Sequence, residues 1–393
     1  MNRDPARRAS LPDIGGIQLV CFQPGEEAAA HQELQQLLAH YGLLQACDIR
    51  ALRQSHHTVL HARLLAERAQ AWCPGHDTLS LQHLLPRPAA STPDWQLEQE
   101  TLAALLASPL GMGFGSSQAL ASQLRVRRHI AQAARKTALA FKTEAAERPE
   151  AFWRYDEEHG FILRPGVDLI EALVSATQPE ATGRLYDFSC YRATEYVILL
   201  GIARELQAHH PTLLQTLQRH CEVHAIRSGQ FHDVFLVEYG SMEAPLPARF
   251  YVPGDRLWFR NPDERSSDVT GYEGSWVIYM GGGLFSNFWK RDRPFTLEDK
   301  CIEIFHWRHG AVAGPDGALD MDETVVDARV ALTRADPLAT EQVLARMERL
   351  RDPKGVYAEG GCIDSTREFP RGVWPAPAEL TLPPLPQQGL SAG

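Results

Sequence analysis

The sequence predicts an α+β fold in which a buried helix packs on a mostly antiparallel sheet. Two observations predict this fold. The stretch from Tyr196 to Ala203 has no polar face, which is typical of a helix inside a core. After it, the spacing of apolar residues changes to the alternation of strands, with turn sequences at 261–263 and 281–283. A helix that precedes a run of strands favours α+β over alternating βαβ units.

The composition is that of an ordinary globular protein, with 44% hydrophobic and 22% charged residues among 393. The net charge of −10 disfavours a nucleic-acid partner. The longest apolar run is far shorter than the roughly 20 residues that cross a membrane. No apolar segment follows the N-terminal arginines, so no signal peptide is predicted. We therefore expect neither a nucleic-acid nor a membrane partner.

The cysteines and histidines predict the compartment and exclude common metal sites. Seven cysteines, an odd number without a CxxC pair, favour a reducing, cytoplasmic environment over a disulfide framework. Many histidines lie before residue 84, but none has a cysteine or carboxylate partner at ligand spacing. The sequence therefore predicts no metal and no cofactor.

The first 94 residues are predicted to form an N-terminal helical region. A short strand is expected at 17–22. Apolar residues three or four positions apart then predict helix from residue 26 to about residue 72. The proline-rich stretch 85–93 is predicted to be a linker.

A central domain is predicted over residues 95–335. Before the buried helix, helices are expected at 116–147 and 167–177, with a strand-like run at 160–163. Residues 322–332 fit either a strand or a helix. The strands predicted after the buried helix are 223–226, 233–238, 248–252, 255–259, 276–280, 284–289 and 301–307.

The last segment, residues 336–393, is predicted to contain a helix and a tail. The helix is expected over 336–349. Glycine and proline accumulate from residue 353 onward, which predicts an extended or disordered tail.

A cysteine stands at the start of the buried helix. Either Asp187 or Ser189 can accept a bond from a free first-turn N–H, so Cys190 lies in that turn under either cap. The helix dipole and the free amides favour a thiolate there. Papain-like enzymes present their nucleophile in this way, at the head of a buried helix that precedes strands. A nucleophile is therefore predicted at Cys190, and a buried structural cysteine is the alternative.

Three motifs lie around this cysteine and along the strands that follow. The first is Tyr186-Asp-Phe-Ser-Cys-Tyr-Arg-Ala193, and the second is Pro253-Gly-Asp-Arg-Leu-Trp-Phe-Arg-Asn-Pro262. The third is Gly274-Ser-Trp-Val-Ile-Tyr-Met-Gly281, followed by Leu284-Phe-Ser-Asn287. In order and spacing, over roughly residues 95–310, they resemble the bacterial spore-coat-type protein-glutamine γ-glutamyltransferases, the calcium-independent transglutaminases.

The resemblance implies a papain-like, transglutaminase-like catalytic domain. In that family a cysteine thiolate attacks a glutamine carboxamide and releases ammonia, and a lysine amine then resolves the thioester into an isopeptide. The expected partners are therefore protein substrates with glutamine and lysine side chains. Cys190 matches the position of the nucleophile.

Two positions depart from the family pattern. Ser275 stands at the place of the family's glutamate, and Glu273, two residues earlier on the same face of a strand, is the expected substitute. Asn287 stands at the place of the family's histidine. An amide can orient a neighbouring group, but it cannot carry a proton near neutral pH.

Another histidine is therefore expected to act as the base. His306 lies on the strand predicted after the hairpin, and His232 opens an earlier one; His224 and His309 are further candidates. The predicted catalytic residues are Cys190, Glu273, Asn287 and His306.

Three functions are compatible with these residues. The first is acyl transfer through a Cys190 thioester. The second is a degenerate transglutaminase fold that serves as a binding or structural module, which the missing histidine favours. The third is a related cysteine amidase or deamidase that uses His232 or His306 together with Asn287.

Overall fold

The computed structural model describes a chain of helices and antiparallel strands. The described residues are 14–21, 25–54, 56–140, 146–157, 160–226, 228–314, 317–352 and 360–385. Within these ranges no helix combines the length and the apolar character needed to cross a membrane.

The strands form two four-stranded sheets and two small hairpins. The N-terminal sheet has the order β2-β3-β1-β4, and the C-terminal sheet has the order β7-β12-β8-β9. The strands are β1 (Gly16–Cys21), β2 (Cys47–Arg53), β3 (Thr58–Leu64), β4 (Gly111–Phe114), β5 (Trp153–Asp156), β6 (Gly160–Leu163), β7 (Leu236–Tyr239), β8 (Arg256–Arg260), β9 (Gly274–Ile278), β10 (Ala311–Ala313), β11 (Leu319–Met321) and β12 (Arg367–Pro370).

The helices lie between and around these sheets. They are α1 (Glu26–His40), α2 (Ala66–Trp72), α3 (Leu81–Leu84), α4 (Pro93–Leu106), α5 (Ser117–Lys136), α6 (Leu169–Thr177), α7 (Pro179–Thr182), α8 (Cys190–His209), α9 (Pro211–Cys221), α10 (Ser228–Phe235), α11 (Glu264–Ser267), α12 (Leu297–Gly310), α13 (Glu323–Ala335) and α14 (Pro337–Met347).

The buried helix is confirmed as α8. Its residues Val197, Leu199 and Leu200 are fully buried in a core that α5 and α6 share. A Cβ on Gly201 would come within 2.4 Å of the Ile130 side chain of α5, so the glycine allows the two helices to approach closely. An α+β arrangement with mostly antiparallel pairing is confirmed.

The N-terminal region contains more strand than the sequence predicted. Helix is confirmed over α1 and α2, but residues 47–53 and 58–64 form β2 and β3, so the helical prediction is wrong there. The spacing of Leu52, Val59 and Leu60 fits a helix and two paired strands alike. This sheet shares one apolar core with α4 and α5, on the far side of the predicted linker. The division at residue 94 stays a prediction.

The predicted C-terminal tail contributes a strand to the sheet. β12 lies between β7 and β8, and Arg367 on it is fully buried. The prediction of an extended or disordered tail is therefore wrong over 360–370, because pairing with strands far away in the chain orders this segment. Residues 353–359 and 386–393 lie outside the described residues.

The strand predictions before the hairpin have a mixed outcome. β8 and β9 are confirmed, each shifted by one or two residues. Residues 223–226 and 248–252 are not strands, and 284–289 makes only isolated bridges. The strand predicted at 233–238 begins inside α10 and becomes β7 only at Leu236.

The strand predicted at 301–307 is wrong, because α12 covers these residues. Thr296 caps this helix by accepting the Asp299 N–H, and the Asp299 side chain accepts the Thr296 N–H. Cys301 and Ile304, three positions apart, are fully buried. The run of seven residues is short enough to fit both the strand and the helix period. Residues 322–332 fall in α13, and the helix predicted over 336–349 is confirmed as α14.

Candidate active site

Cys190 is the first residue of α8. The Ser189 hydroxyl caps the helix by accepting the Arg192 N–H. Ser189 is one of the two residues that were predicted to cap it. Cys190 is half-buried, as is Cys47, whereas the other five cysteines are buried. Cys190 is therefore partly exposed as a residue, at the head of the central helix.

Groups around the Cys190 thiol shift its pKa both upward and downward. Burial raises its pKa above the usual range. The backbone N–H groups of Trp276 and Tyr191, which donate to the sulfur, lower the pKa, as does the Lys300 ammonium, while Glu273 raises it. Burial is the largest of these effects, so the pKa of the thiol lies above its ordinary value.

A buried guanidinium holds the two residues whose amides reach the thiol. The Arg256 guanidinium lies 4.8 Å from the Tyr191 ring centroid and 4.9 Å from that of Trp276. The same guanidinium forms an ion pair with Glu368 of β12. The Tyr191 and Trp276 rings meet edge to face at 5.0 Å. This packing fixes the start of α8 against β9.

The Gly-Asp pair of the second motif has a structural role. Asp255 accepts a bond of 2.7 Å from Arg127 of α5, and both side chains are fully buried. Asp255 also accepts the Tyr239 hydroxyl and the Val252 N–H. Gly254 has a φ of +86°, and a Cβ there would lie 2.8 Å from Arg127. The motif therefore joins the sheet to α5.

The third motif forms a hairpin, as predicted. Beyond β9, Tyr279 bridges to Phe285, and the Ser286 N–H donates to the Ile278 carbonyl at 2.9 Å. Asn287 therefore lies two residues after Phe285, on the second arm of the hairpin. Ser275 and Asn287 are both buried and line one cavity. The two positions that depart from the family pattern therefore lie close together.

The cavity has a volume of about 300 Å³, and Cys190 is not among its lining residues. Ser275 lines it, and the ring of the next residue, Trp276, meets the ring of Tyr191 edge to face at 5.0 Å. The β9 wall of the cavity therefore continues to the start of α8. The walls of the cavity combine aromatic rings with charged groups. The lining residues are Leu139, Gly271, Tyr272, Gly274, Ser275, Asn287, Trp289, Lys290, Phe295, Lys300, Glu303, Trp307, Glu323, Val326 and Asp327.

Asn287 uses its amide to hold the loop that follows it. Its Nδ2 donates to the Arg293 carbonyl at 2.9 Å, and its Oδ1 accepts the Lys290 N–H at 3.1 Å. This is the local turn chemistry of an asparagine. Its predicted role as an orienting residue for the reaction stays a prediction.

Glu273 lies just before β9 and is exposed. Its carboxylate accepts the Gly271 N–H at 3.3 Å. Its charge raises the pKa of Cys190, which shows that it lies within electrostatic reach of the thiol. Its predicted role as a catalytic carboxylate stays a prediction.

His306 lies on α12 rather than on a strand. Its Nε2 is 2.7 Å from the Thr333 hydroxyl of α13, and its Nδ1 is 3.1 Å from Nδ1 of His309. Burial lowers its pKa to about 4, assisted by the charge of His309. His232 lies on α10, where its Nε2 is 3.2 Å from Glu368. The described walls of the cavity contain no histidine.

The charged residues that line the cavity were not predicted from the sequence, among them two on α12. Lys300 and Glu303 lie on one face of α12, with the Nζ of Lys300 2.8 Å from a Glu303 carboxylate oxygen. The capping signal from Thr296 to Asp299 could have revealed α12, and with it this i, i+3 pair. Among the described residues no three His, Cys, Asp or Glu side chains converge as metal ligands.

A comparison with models of protein families agrees with the motifs. A family model described as protein-glutamine gamma-glutamyltransferase matches residues 81–359, which is well over half of the chain. A solved transglutaminase from Geobacillus stearothermophilus, without its C-terminal extension, matches at 20% identity and a TM-score of 0.36. That match covers 53% of this chain and 96% of the other. No match was found among curated proteins.

Proposed function

The chain belongs to the protein-glutamine gamma-glutamyltransferase family, and from this membership we propose that it transfers glutamyl groups through a thioester on Cys190. The Cys190 sulfur would attack the carboxamide of a protein-bound glutamine and release ammonia. A primary amine, such as a lysine side chain, would then displace the sulfur and form an isopeptide bond.

The placement of Cys190 carries this proposal. Cys190 is a half-buried cysteine at the first position of α8, and its sulfur receives the N–H groups of Tyr191 and Trp276. Backbone donors at this position can also stabilise the negative charge that develops on a carbonyl oxygen under attack. The neighbouring cavity offers aromatic walls for the stem of a long side chain.

A specific observation favours a second candidate, a binding protein without catalysis. Ser275 and Asn287 stand where the family has its glutamate and histidine, and neither carries a proton near neutral pH. Burial also raises the pKa of the Cys190 thiol, which reduces the thiolate fraction. In this candidate the cavity would hold a side chain of a partner without reacting with it.

Incorporation of a fluorescent primary amine into a glutamine-rich protein separates the two candidates. We expect wild type to incorporate the amine and to release ammonia. Cys190→Ala should do neither, because the thioester cannot form. Cys47→Ala is the matched control, since Cys47 is the other half-buried cysteine and lies on β2, away from α8.

Incorporation that is lost in Cys190→Ala and retained in Cys47→Ala supports acyl transfer. Ammonia release without incorporation supports the amidase alternative. If wild type produces neither ammonia nor labelled product across pH 7–10, acyl transfer is excluded and the binding candidate stands.

A further inference from the structure

We infer that Glu368 of β12 is a positioning residue for the Cys190 thiol and that it acts through the guanidinium of Arg256. The inference rests on the proposed function, because it says what holds the nucleophile of that reaction in place. It also extends the catalytic unit beyond the family match, which ends at residue 359, to a strand that comes later in the chain.

The Arg256 guanidinium contacts both the helix of the nucleophile and the wall of the cavity. Its carbon is 4.8 Å from the ring centroid of Tyr191, the residue that follows Cys190 in the first turn of α8. It is 4.9 Å from the ring centroid of Trp276, the residue that follows Ser275 in the cavity wall. The two rings also meet each other edge to face. One cation therefore holds the covalent neighbours of the nucleophile and of the cavity.

Glu368 fixes the orientation of this guanidinium. The two residues lie opposite each other across β8 and β12, and the Arg256 Nε donates to one Glu368 carboxylate oxygen. The terminal nitrogens of Arg256 have no hydrogen-bond partner among the described residues, so the two aromatic rings hold that end. The Arg256 side chain is 1% exposed and that of Glu368 is 10% exposed. Without its carboxylate the guanidinium would be an uncompensated buried charge, so its position depends on Glu368.

The second oxygen of Glu368 also has a partner. It lies 3.2 Å from Nε2 of His232, which reaches it from α10. The carboxylate is thus held from two sides, and its geometry is set before any substrate binds. A misplacement of about 1 Å at a reacting group can cost roughly 100-fold in rate. A support of this kind is therefore expected to affect turnover more than it affects substrate binding.

Three substitutions separate positioning from stability. Glu368→Gln keeps the shape of the side chain and removes the charge that orients Arg256. Arg256→Lys keeps the ion pair, but an ammonium cannot lie flat against two rings as a guanidinium does, and this variant carries the test if Glu368→Gln does not fold. Asp364→Asn is the matched control, because Asp364 pairs with Arg351 at 3.0 Å in the same segment and its side chain is 11% exposed. Urea denaturation gives the stability of each variant.

The first readout is amine incorporation, measured as kcat and KM for the glutamine substrate. In Glu368→Gln and in Arg256→Lys we expect kcat to fall on the order of ten-fold or more, because the thiol is no longer held in its reactive position. We expect KM to stay within about two-fold of wild type, because the walls of the cavity are unchanged. Asp364→Asn should keep the wild-type kcat even where it loses a comparable amount of stability.

The second readout is alkylation of Cys190 by iodoacetamide at a fixed pH, followed on its own peptide by mass spectrometry. In Glu368→Gln and Arg256→Lys we expect the rate to rise roughly three-fold or more, because the start of α8 loosens and the reagent reaches the thiol more readily. Asp364→Asn should show the wild-type rate. This readout needs no turnover, and its direction is opposite to that of kcat.

A wild-type kcat in folded Glu368→Gln or Arg256→Lys would overturn the inference, and so would an equal loss of kcat in Asp364→Asn. Alkylation rates that coincide in all variants would overturn it as well, while amine transfer by wild type would leave the proposed function standing. If wild type transfers no amine but Glu368→Gln speeds the alkylation and Asp364→Asn does not, the proposed function fails and the positioning of Cys190 by Glu368 is supported.

Discussion

Helix α8 carries the candidate nucleophile and helix α12 lines the cavity, and the two helices differ in how the sequence encodes them. α8 carries Cys190 at its first position and is apolar all round in its middle. α12 carries Lys300 and mixes buried apolar residues with Glu303 and two histidines. The middle of α8 lies inside a core, whereas α12 has a core side and a cavity side.

A helix that is buried on every side is easier to recognise in the sequence than a helix that is buried on one side. The apolar run from 196 to 203, which has no polar face, is typical of a helix inside a core. In α12, Lys300 and Glu303 face the cavity, and they interrupt the apolar pattern. A functional surface thus obscures the period of the helix that carries it.

The largest expected effect tests whether the two helices are equally important for the core. Leu200 in α8 and Ile304 in α12 are both fully buried. Replacing either with alanine should reduce the free energy of unfolding by about 2–5 kcal/mol, because each change leaves a cavity. Urea denaturation measures both, with the exposed Leu332→Ala as control. A loss below about 1 kcal/mol for Ile304→Ala would show that α12 contributes little to the core.

The next effect is a pH dependence to which His306 of α12 contributes. Folding lowers the pKa of His306 from 6.5 to about 4, mainly by burial. The unfolded chain therefore binds this proton more readily, so the stabilisation is present above about pH 6.5 and is lost as the pH falls toward 4. The full shift corresponds to at most roughly 3 kcal/mol.

His306→Gln should make stability less sensitive to acid over this range. Unfolding in urea at pH 7, 5 and 4 gives the comparison, and the exposed His83→Gln serves as control. Parallel loss of stability in wild type and His306→Gln between pH 7 and 4 would contradict a buried neutral imidazole at this position.

The smallest expected effect compares the two helix starts. Ser189→Ala removes the cap of α8, and Thr296→Ala removes one half of the capping box of α12. Each should cost about 1 kcal/mol, because a first-turn N–H loses its acceptor. Thermal unfolding measures both. A result within error of wild type for Thr296→Ala would show that Asp299 alone secures the start of α12.

Local signals were enough to predict α6, α8, α14 and the start of α5, since each has a capping residue and apolar residues at helical spacing. The predicted end of α5 at 147 is wrong, because the helix ends at Lys136. Local signals failed for β12, whose residues form a strand only through pairing with β7 and β8. They failed in the same way for 47–64 and for α12, where short apolar runs fit two periods. Partners far along the chain decided these segments.

The sequence by itself determined that Cys190 starts a buried helix, because a cap and an apolar run suffice for that. It also contained the three motifs that resemble the family. The match to the family model confirms that the chain belongs to this family. Only the tertiary structure brought Lys300 and Glu303 into one cavity with Ser275 and Asn287. The hairpin and α12 meet there through packing over many elements, and no spacing in the sequence encodes such a meeting.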